Sequence, residues 1–412
     1  MIENFESKLN EYADLLIKIG LNVQKGQLIN IRSSVESADF ARLCVKKAYE
    51  AGCSDIIIDW RDDFTDRQRY LYADDSVFDS FPQWKTEQLD YIASNKGAVL
   101  SIYATDPEAL NAVDPDRISR YSKAKGNGMK NFYAAQMANE FPWCIGSVPI
   151  PSWAKKVFPD LSESDAMEAL WNAIFKTVRI SGDGSSIKLW KEHIENTARL
   201  SDKLNSYNFK YLHYKNSIGT DFICELPEDH IWLGGAEKTK GGIPFVANMP
   251  TEEIFTAPKK DGINGVIVSS KPLCIDGSVV EGIRFVVKDG KIVNAQADKG
   301  ESVLQKAITV DEGASYFGEI ALVPFDSPIS DMNIIFYNTL FDENASCHMA
   351  FGEAYPCIKN SDNMSREELE ERGLNYSITH EDFMIGTRDL SIVGIDHSGN
   401  EVEIFKNGNF AV

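Results

Sequence analysis

The chain has no Cys-x-x-Cys pair among its seven cysteines, which fall singly at 44, 53, 144, 224, 274, 347 and 357. An odd, scattered set reads as reduced thiols, which argues against a disulfide framework or a zinc ribbon. No apolar run approaches the ~18–20 residues needed to span a bilayer. The opening "MIENFESKLNEYADLLIKIG" carries acids throughout and reads as an amphipathic helix, not a signal peptide. Positive charge is in deficit, with 42 Lys and Arg against 62 Asp and Glu and a formal net charge of −20. Such a surface repels phosphate backbones and anionic lipid, so nucleic acid and membranes are excluded as partners. A cytoplasmic location is the expectation.

Several catalytic fingerprints are missing as well. There is no GxxxxGK[ST] phosphate loop and no GxSxG nucleophile elbow. The glycine pairs in "KGNGMK" and "SGDGSS" lack both the third glycine and the strand-then-helix setting of a dinucleotide loop, and both read as turns. No internal repeat or low-complexity linker breaks the chain.

What is present is an ordinary globular composition, 43% hydrophobic and 25% charged, over 412 residues. That length is too great for one ordinary core and argues for two domains or three. The first half alternates apolar strands ("GQLINIRSS", "SDIIIDW", "GAVLSIYA", "CIGSVPI") with helical stretches ("SADFARLCVKKAYEAG", "NGMKNFYAAQMANEF"). This rhythm predicts an α/β domain with a mainly parallel sheet, over residues 1–195. Past about residue 205 strands follow one another through Asp-Gly, Ser-Gly-Asn and Asn-Gly turns, the strong hairpin signals. Residues 196–412 are therefore expected to form an α+β domain with antiparallel strands, the border lying between 183 and 207.

The second half also concentrates the residues that can bind metal. In "THEDFMIG" a strand would point His380, Asp382 and Met384 one way and Glu381 and Phe383 the other. That spacing suits two ligands of one metal, or a histidine oriented by a carboxylate; a surface His–Asp pair is the commoner alternative. "NTLFDENASCHMAFGEAY" supplies Glu343, His348, Glu353 and Tyr355, with small residues that let a loop present Glu343 and His348 together. "YFGEIALVPF" puts Glu319 at the start of an apolar strand, where a buried carboxylate needs a partner and a strand-edge one facing water needs none. "ANMPTEEIFTAP" carries Glu252 and Glu253 between two prolines that keep the segment out of a regular helix. Adjacent carboxylates of an extended chain diverge, so only one of these two can serve a given site. Together these stretches offer an inventory of carboxylates and imidazoles that fits a two-metal site.

In this order, "NMPTEEIFTAP", "YFGEIALVP", "NTLFDENASCHMAFGEAY" and "THEDFMIG" resemble the thermophilic-type metalloaminopeptidases, the family of aminopeptidase T, aminopeptidase S and PepS. The resemblance extends over essentially the whole chain. It implies an exopeptidase of broad preference, acting on peptides with a free N-terminus through two divalent ions per subunit, of zinc, cobalt, manganese or magnesium. Carried over residue by residue, it implies the metal ligands Glu253, Glu319, Glu343, His348, His380 and Asp382, with Tyr355 in a catalytic role. Glu319 is the expected bridge between the ions and a catalytic candidate: the carboxylate that carries the proton is Glu319, Glu253 or Glu343. It also implies a homodimer. Glu381 departs from the apolar residue expected between His380 and Asp382, on the opposite strand face. The alternatives are another dinuclear metal hydrolase, or a metal- or peptide-binding protein without turnover.

Overall fold

A computed structural model describes residues 2–275, 278–361 and 364–412. The chain divides into two compact units, residues 1–195 with 236–251, and residues 196–235 with 252–412. The first unit is built on a parallel four-stranded sheet in the order Asp55–Arg61, Leu28–Ser34, Ala98–Tyr103, Trp143–Ser147. Ala98–Tyr103 is buried along most of its length, as an inner parallel strand covered on both faces must be. Helices alternate with these strands. In Ala38–Glu50 the buried residues Phe40, Ala41, Cys44 and Ala48 recur at three- and four-residue steps and so form one apolar stripe.

Two features of this unit differ from the sequence reading. Residues 236–251, assigned above to the second half, belong here. Ile145 N donates to Ala247 O at 2.7 Å and Met249 N to Ile145 O at 2.8 Å, so the returning segment lies along the Trp143–Ser147 strand. "KGNGMK" is not a turn but the end of the Pro115–Gly128 helix and its exit. A Cβ at Gly128 would come within 2.6 Å of the Phe81 ring, so close packing explains this glycine better than turn chemistry does. "SGDGSS" is a turn, with Gly182 and Gly184 both at positive φ.

The second unit is antiparallel. One sheet has eight strands, among them Phe209–Lys215, Asp221–Glu225, Ile263–Val268, Arg284–Lys288 and Ser391–Asp396. The other has five, in the order His380–Met384, His348–Gly352, Phe317–Leu322, Ile254–Thr256, Leu233–Gly234. The two sheets share one core: Phe285 of the larger sheet meets Phe317, Phe351 and Phe383 of the smaller, at ring-centroid distances of 6.2, 6.1 and 5.2 Å. The architecture is thus an α/β unit with a parallel sheet and an α+β unit with antiparallel sheets. No described helix is long and apolar enough to cross a membrane.

Candidate metal centre

Strand register in the five-stranded sheet lines up the polar residues of the second unit. Glu319 pairs with Ala350 and Ala350 with Asp382, while Ala321 pairs with His348 and Gly352 with His380. Alternation therefore puts Glu319, His348, His380 and Asp382 on one face, with only alanine or glycine side chains between them. On the same strands Ile320, Met349, Phe351 and Phe383 turn the other way into the shared core. The apolar face thus fixes which way the polar face points.

A register shift between Phe317 and Glu319 marks a bulge at the start of the central strand. Gly318 sits in it, and a Cβ there would come 2.0 Å from the Glu353 carbonyl oxygen. Only glycine permits that approach, which sets where Glu319 emerges.

The side chains converge. His348 Nε2 lies 3.2 Å from Glu253 Oε2 and 3.7 Å from Glu319 Oε1. His380 Nε2 lies 3.4 Å from Glu319 Oε2 and 3.3 Å from Asp382 Oδ2. Two groups of possible ligand atoms result, Glu253–Glu319–His348 and Glu319–His380–Asp382, each with its atoms within 4.8 Å of one another. Glu319 belongs to both, offering one oxygen to each histidine. The other imidazole nitrogens face carbonyl oxygens: His348 Nδ1 is 3.0 Å from both Glu343 O and Ser346 O, and His380 Nδ1 is 2.8 Å from Glu353 O. A carbonyl only accepts, so Nδ1 carries the proton in each ring, and each Nε2 is turned toward the carboxylates.

Burial makes this cluster electrostatically expensive without a cation. Burial alone would raise Glu319, but hydrogen bonds from His348 and His380 pull it down to about 2. Glu253 is pushed up by burial, against the pull of His348. Glu343 is pushed well above the usual carboxylate range by burial, then by Asp382 and Glu253. Burial lowers both imidazoles, yet the surrounding carboxylates outweigh it and raise them well above the ordinary histidine value. Asp382 Oδ1 is buried with no hydrogen-bond partner among the described residues. Carboxylate excess, a buried acceptor without a donor and Nε2 atoms aimed inward are the features of an oxygen- and imidazole-donor site for divalent ions.

Five of the six residues proposed from sequence as ligands fall into the two close groups. Glu343 does not. It ends the short Thr339–Glu343 helix, buried, and accepts from Asn344 Nδ2 at 3.3 Å. Its carbonyl holds the His348 ring, and its carboxyl feels the charges of Asp382 and Glu253. Tyr355 stands beside the centre, its ring edge-on to His380 at 5.5 Å between centroids and 5.6 Å from Phe255.

The supporting residues were not evident from spacing. Asp311 accepts from Ser377 Oγ at 2.8 Å and from Ile378 N at 2.7 Å, across 67 positions of sequence, and so holds the approach to His380. Asn344 Oδ1 accepts the Glu252 N–H at 2.8 Å, fixing the backbone just before Glu253.

Known proteins resemble this chain along essentially its whole length. Residues 5–410 match the family model described as thermophilic metalloprotease (M29). Aminopeptidase AmpS of Bacillus subtilis is 42% identical over 411 residues, and aminopeptidase 2 of Geobacillus stearothermophilus is 41% identical over 411 residues. The aligned region covers the whole of this chain in each case, with 100% and 99% of the relative. The solved structure of wild-type AmpT from Thermus thermophilus superposes with a TM-score of 0.91 at 36% identity, covering 99% of this chain and 100% of that one.

Proposed function

The chain belongs to the thermophilic metalloprotease (M29) family, and from that premise we propose that it is a metal-dependent aminopeptidase of broad preference working with two divalent ions. The observation that carries this reading is the sharing of Glu319 between two donor groups, each with its own histidine and a second carboxylate. Glu253 and His348 would hold one ion and His380 and Asp382 the other, with Glu319 serving both and Glu343 completing the set. Zinc, cobalt, manganese and magnesium all accept these donors. Ions held there would supply Lewis acidity, activating water at neutral pH and polarising the scissile carbonyl.

The chain's own residues supply the rest. The Tyr355 hydroxyl donates to the carbonyl oxygen as negative charge develops on it. A site carboxylate, Glu319, Glu253 or Glu343, takes the proton of the attacking water and returns it to the leaving amine. The peptide's free α-amine pairs with the carboxylate-rich site, which restricts cleavage to the N-terminal residue. The buried Ala321 and Ala350 lie between these side chains on the same face and keep bulk water from competing for these bonds. A homodimer and a cytoplasmic location belong to the same proposal; the seven free cysteines suit a reducing compartment.

The test is hydrolysis of leucine p-nitroanilide before chelation, after it, and after separate addition of zinc, cobalt or manganese, with bound metal measured on the same samples. Loss on chelation and recovery with one ion supports the proposal. Bound metal without turnover of any free-amine peptide would favour a binding protein instead, and efficient cleavage of an N-acetylated peptide would remove the role given to the α-amine.

A further inference from the structure

The carboxyl ends of the parallel strands in the first unit carry an arginine pair that the peptidase chemistry does not use. Parallel register sets Arg32 opposite Asp59 and Ser34 opposite Arg61, so Arg32 and Arg61 project from the same face of the sheet. On the other side Arg32 pairs with Ser101, and Tyr103 follows two residues on. Arg32 Nε donates to Asn30 Oδ1 at 3.3 Å, and its guanidinium lies 4.7 Å from the Phe132 ring centroid, backed by that ring.

The neighbouring acids are already engaged. Asp59 accepts from Asn30 Nδ2 at 3.0 Å and from Gln88 Nε2 at 2.6 Å. Glu36 accepts from Ser34 Oγ at 2.8 Å. Among the described residues neither Arg32 nor Arg61 makes an ion pair. Burial first, and then the adjacent Arg61, press the Arg32 pKa downward, and Tyr133 lies close enough to feel both cations. A chain with a net charge of −20 thus holds two guanidinium groups on one sheet face, and Asp59, the carboxylate beside them, is taken up by Asn30 and Gln88.

Its position in the fold agrees. The strand order Asp55–Arg61, Leu28–Ser34, Ala98–Tyr103, Trp143–Ser147 reverses its direction of growth between Leu28–Ser34 and Ala98–Tyr103. Open parallel sheets bind ligands outside the carboxyl ends of the strands at such a reversal. We propose that Arg32 and Arg61, with the hydroxyls of Tyr103 and Tyr133, form a binding site for a small oxyanion, a phosphate or a carboxylate. Guanidinium forks match both ligands in geometry and charge, and the phenol groups supply further donors.

The experiment is calorimetric titration of the metal-loaded protein with inorganic phosphate and, separately, with N-acetylglycine, which has no free amine. Wild type, Arg32→Gln and Arg61→Gln are compared. Binding at the metal centre would persist in all three, so the informative signal is the component that depends on the arginines. A saturable component weakened ~10-fold or more in the variants, as expected for loss of a charged hydrogen-bond donor, supports the site. Arg61 is exposed, so its replacement keeps the test valid if Arg32→Gln misfolds. A component seen with phosphate alone identifies a phosphoryl ligand, and one seen with N-acetylglycine alone a carboxylate. Identical isotherms for wild type and Arg61→Gln, or no saturable component with either probe, overturn the proposal.

Discussion

His380 Nδ1 lies 2.8 Å from the carbonyl oxygen of Glu353, so the segment carrying Glu353 orients the ring whose other nitrogen faces Glu319 and Asp382. Glu353 is tied to the approach of that strand twice more: its N–H donates to Thr379 O at 2.7 Å, and its carboxylate accepts from Ser377 N at 2.5 Å. Glu353→Ala leaves the Ser377 N–H without this acceptor, at an expected cost of about 1–3 kcal/mol. It also loosens the loop that positions His380, and metal affinity is expected to fall ~10-fold or more, as for other supports of metal-bound histidines. Thermal melting and metal content after dialysis check this; a variant unchanged in both would reject the positioning role.

The Glu353 carboxyl also sets a pH dependence. Burial lifts it to about 7, against the lowering effect of the Ser377 N–H. Unfolded, the group loses its proton near the ordinary glutamate value of ~4.3. Between the two values the folded chain keeps a proton that the unfolded chain has released. Stability contributed by this group is therefore full below the unfolded value and lost as pH rises through about 7, with a slope of at most about 1.4 kcal/mol per unit. In chelated protein, Glu353→Gln should flatten this part of the urea-melt profile between pH 4.5 and 7, and an unaltered profile would show that the group does not titrate there.

Glu319 should differ from every other ligand in its effect on stoichiometry. Because it offers one oxygen toward each histidine, Glu319→Gln should weaken both ions together. Asp382→Asn touches only the group around His380, and Glu253→Gln only the group around His348. Metal analysis at limiting free ion is expected to give loss of both ions in the first variant and retention of one in each of the others. Retention of one tight ion by Glu319→Gln would disprove the bridging role.

The strand-borne part of this centre could be read from sequence because alternation is a local rule. Two residues apart on a strand means one face, so His380 and Asp382 declared their common direction, and Phe383 next in sequence declared the core side. What could not be read depends on register between distant segments. Asp311 reaches Ile378 only because the fold returns there, and no spacing announces it. Arg32 and Arg61 become neighbours only through parallel pairing, which hydrophobic pattern alone does not number. Residues 236–251 look like part of the antiparallel half, yet their backbone bonds go to Ile145. At Gly128, local propensity favoured a turn, but packing against Phe81 within a helix prevailed.

Tyr355 offers the sharpest separation of catalysis from metal binding. Its ring packs edge-on against His380 and near Phe255, so its position is fixed by apolar contacts that phenylalanine would keep. Tyr355→Phe therefore removes the hydroxyl and keeps these ring contacts. If that hydroxyl donates to the developing oxyanion, its loss should cost about 3–4 kcal/mol of transition-state stabilisation, a fall in kcat of ~10²–10³. An interaction made only in the transition state lowers kcat and kcat/KM together and leaves KM in place. Metal content and melting temperature should match the wild type. A raised KM with unchanged kcat would instead make Tyr355 a substrate-binding residue, and wild-type turnover would remove it from the chemistry altogether.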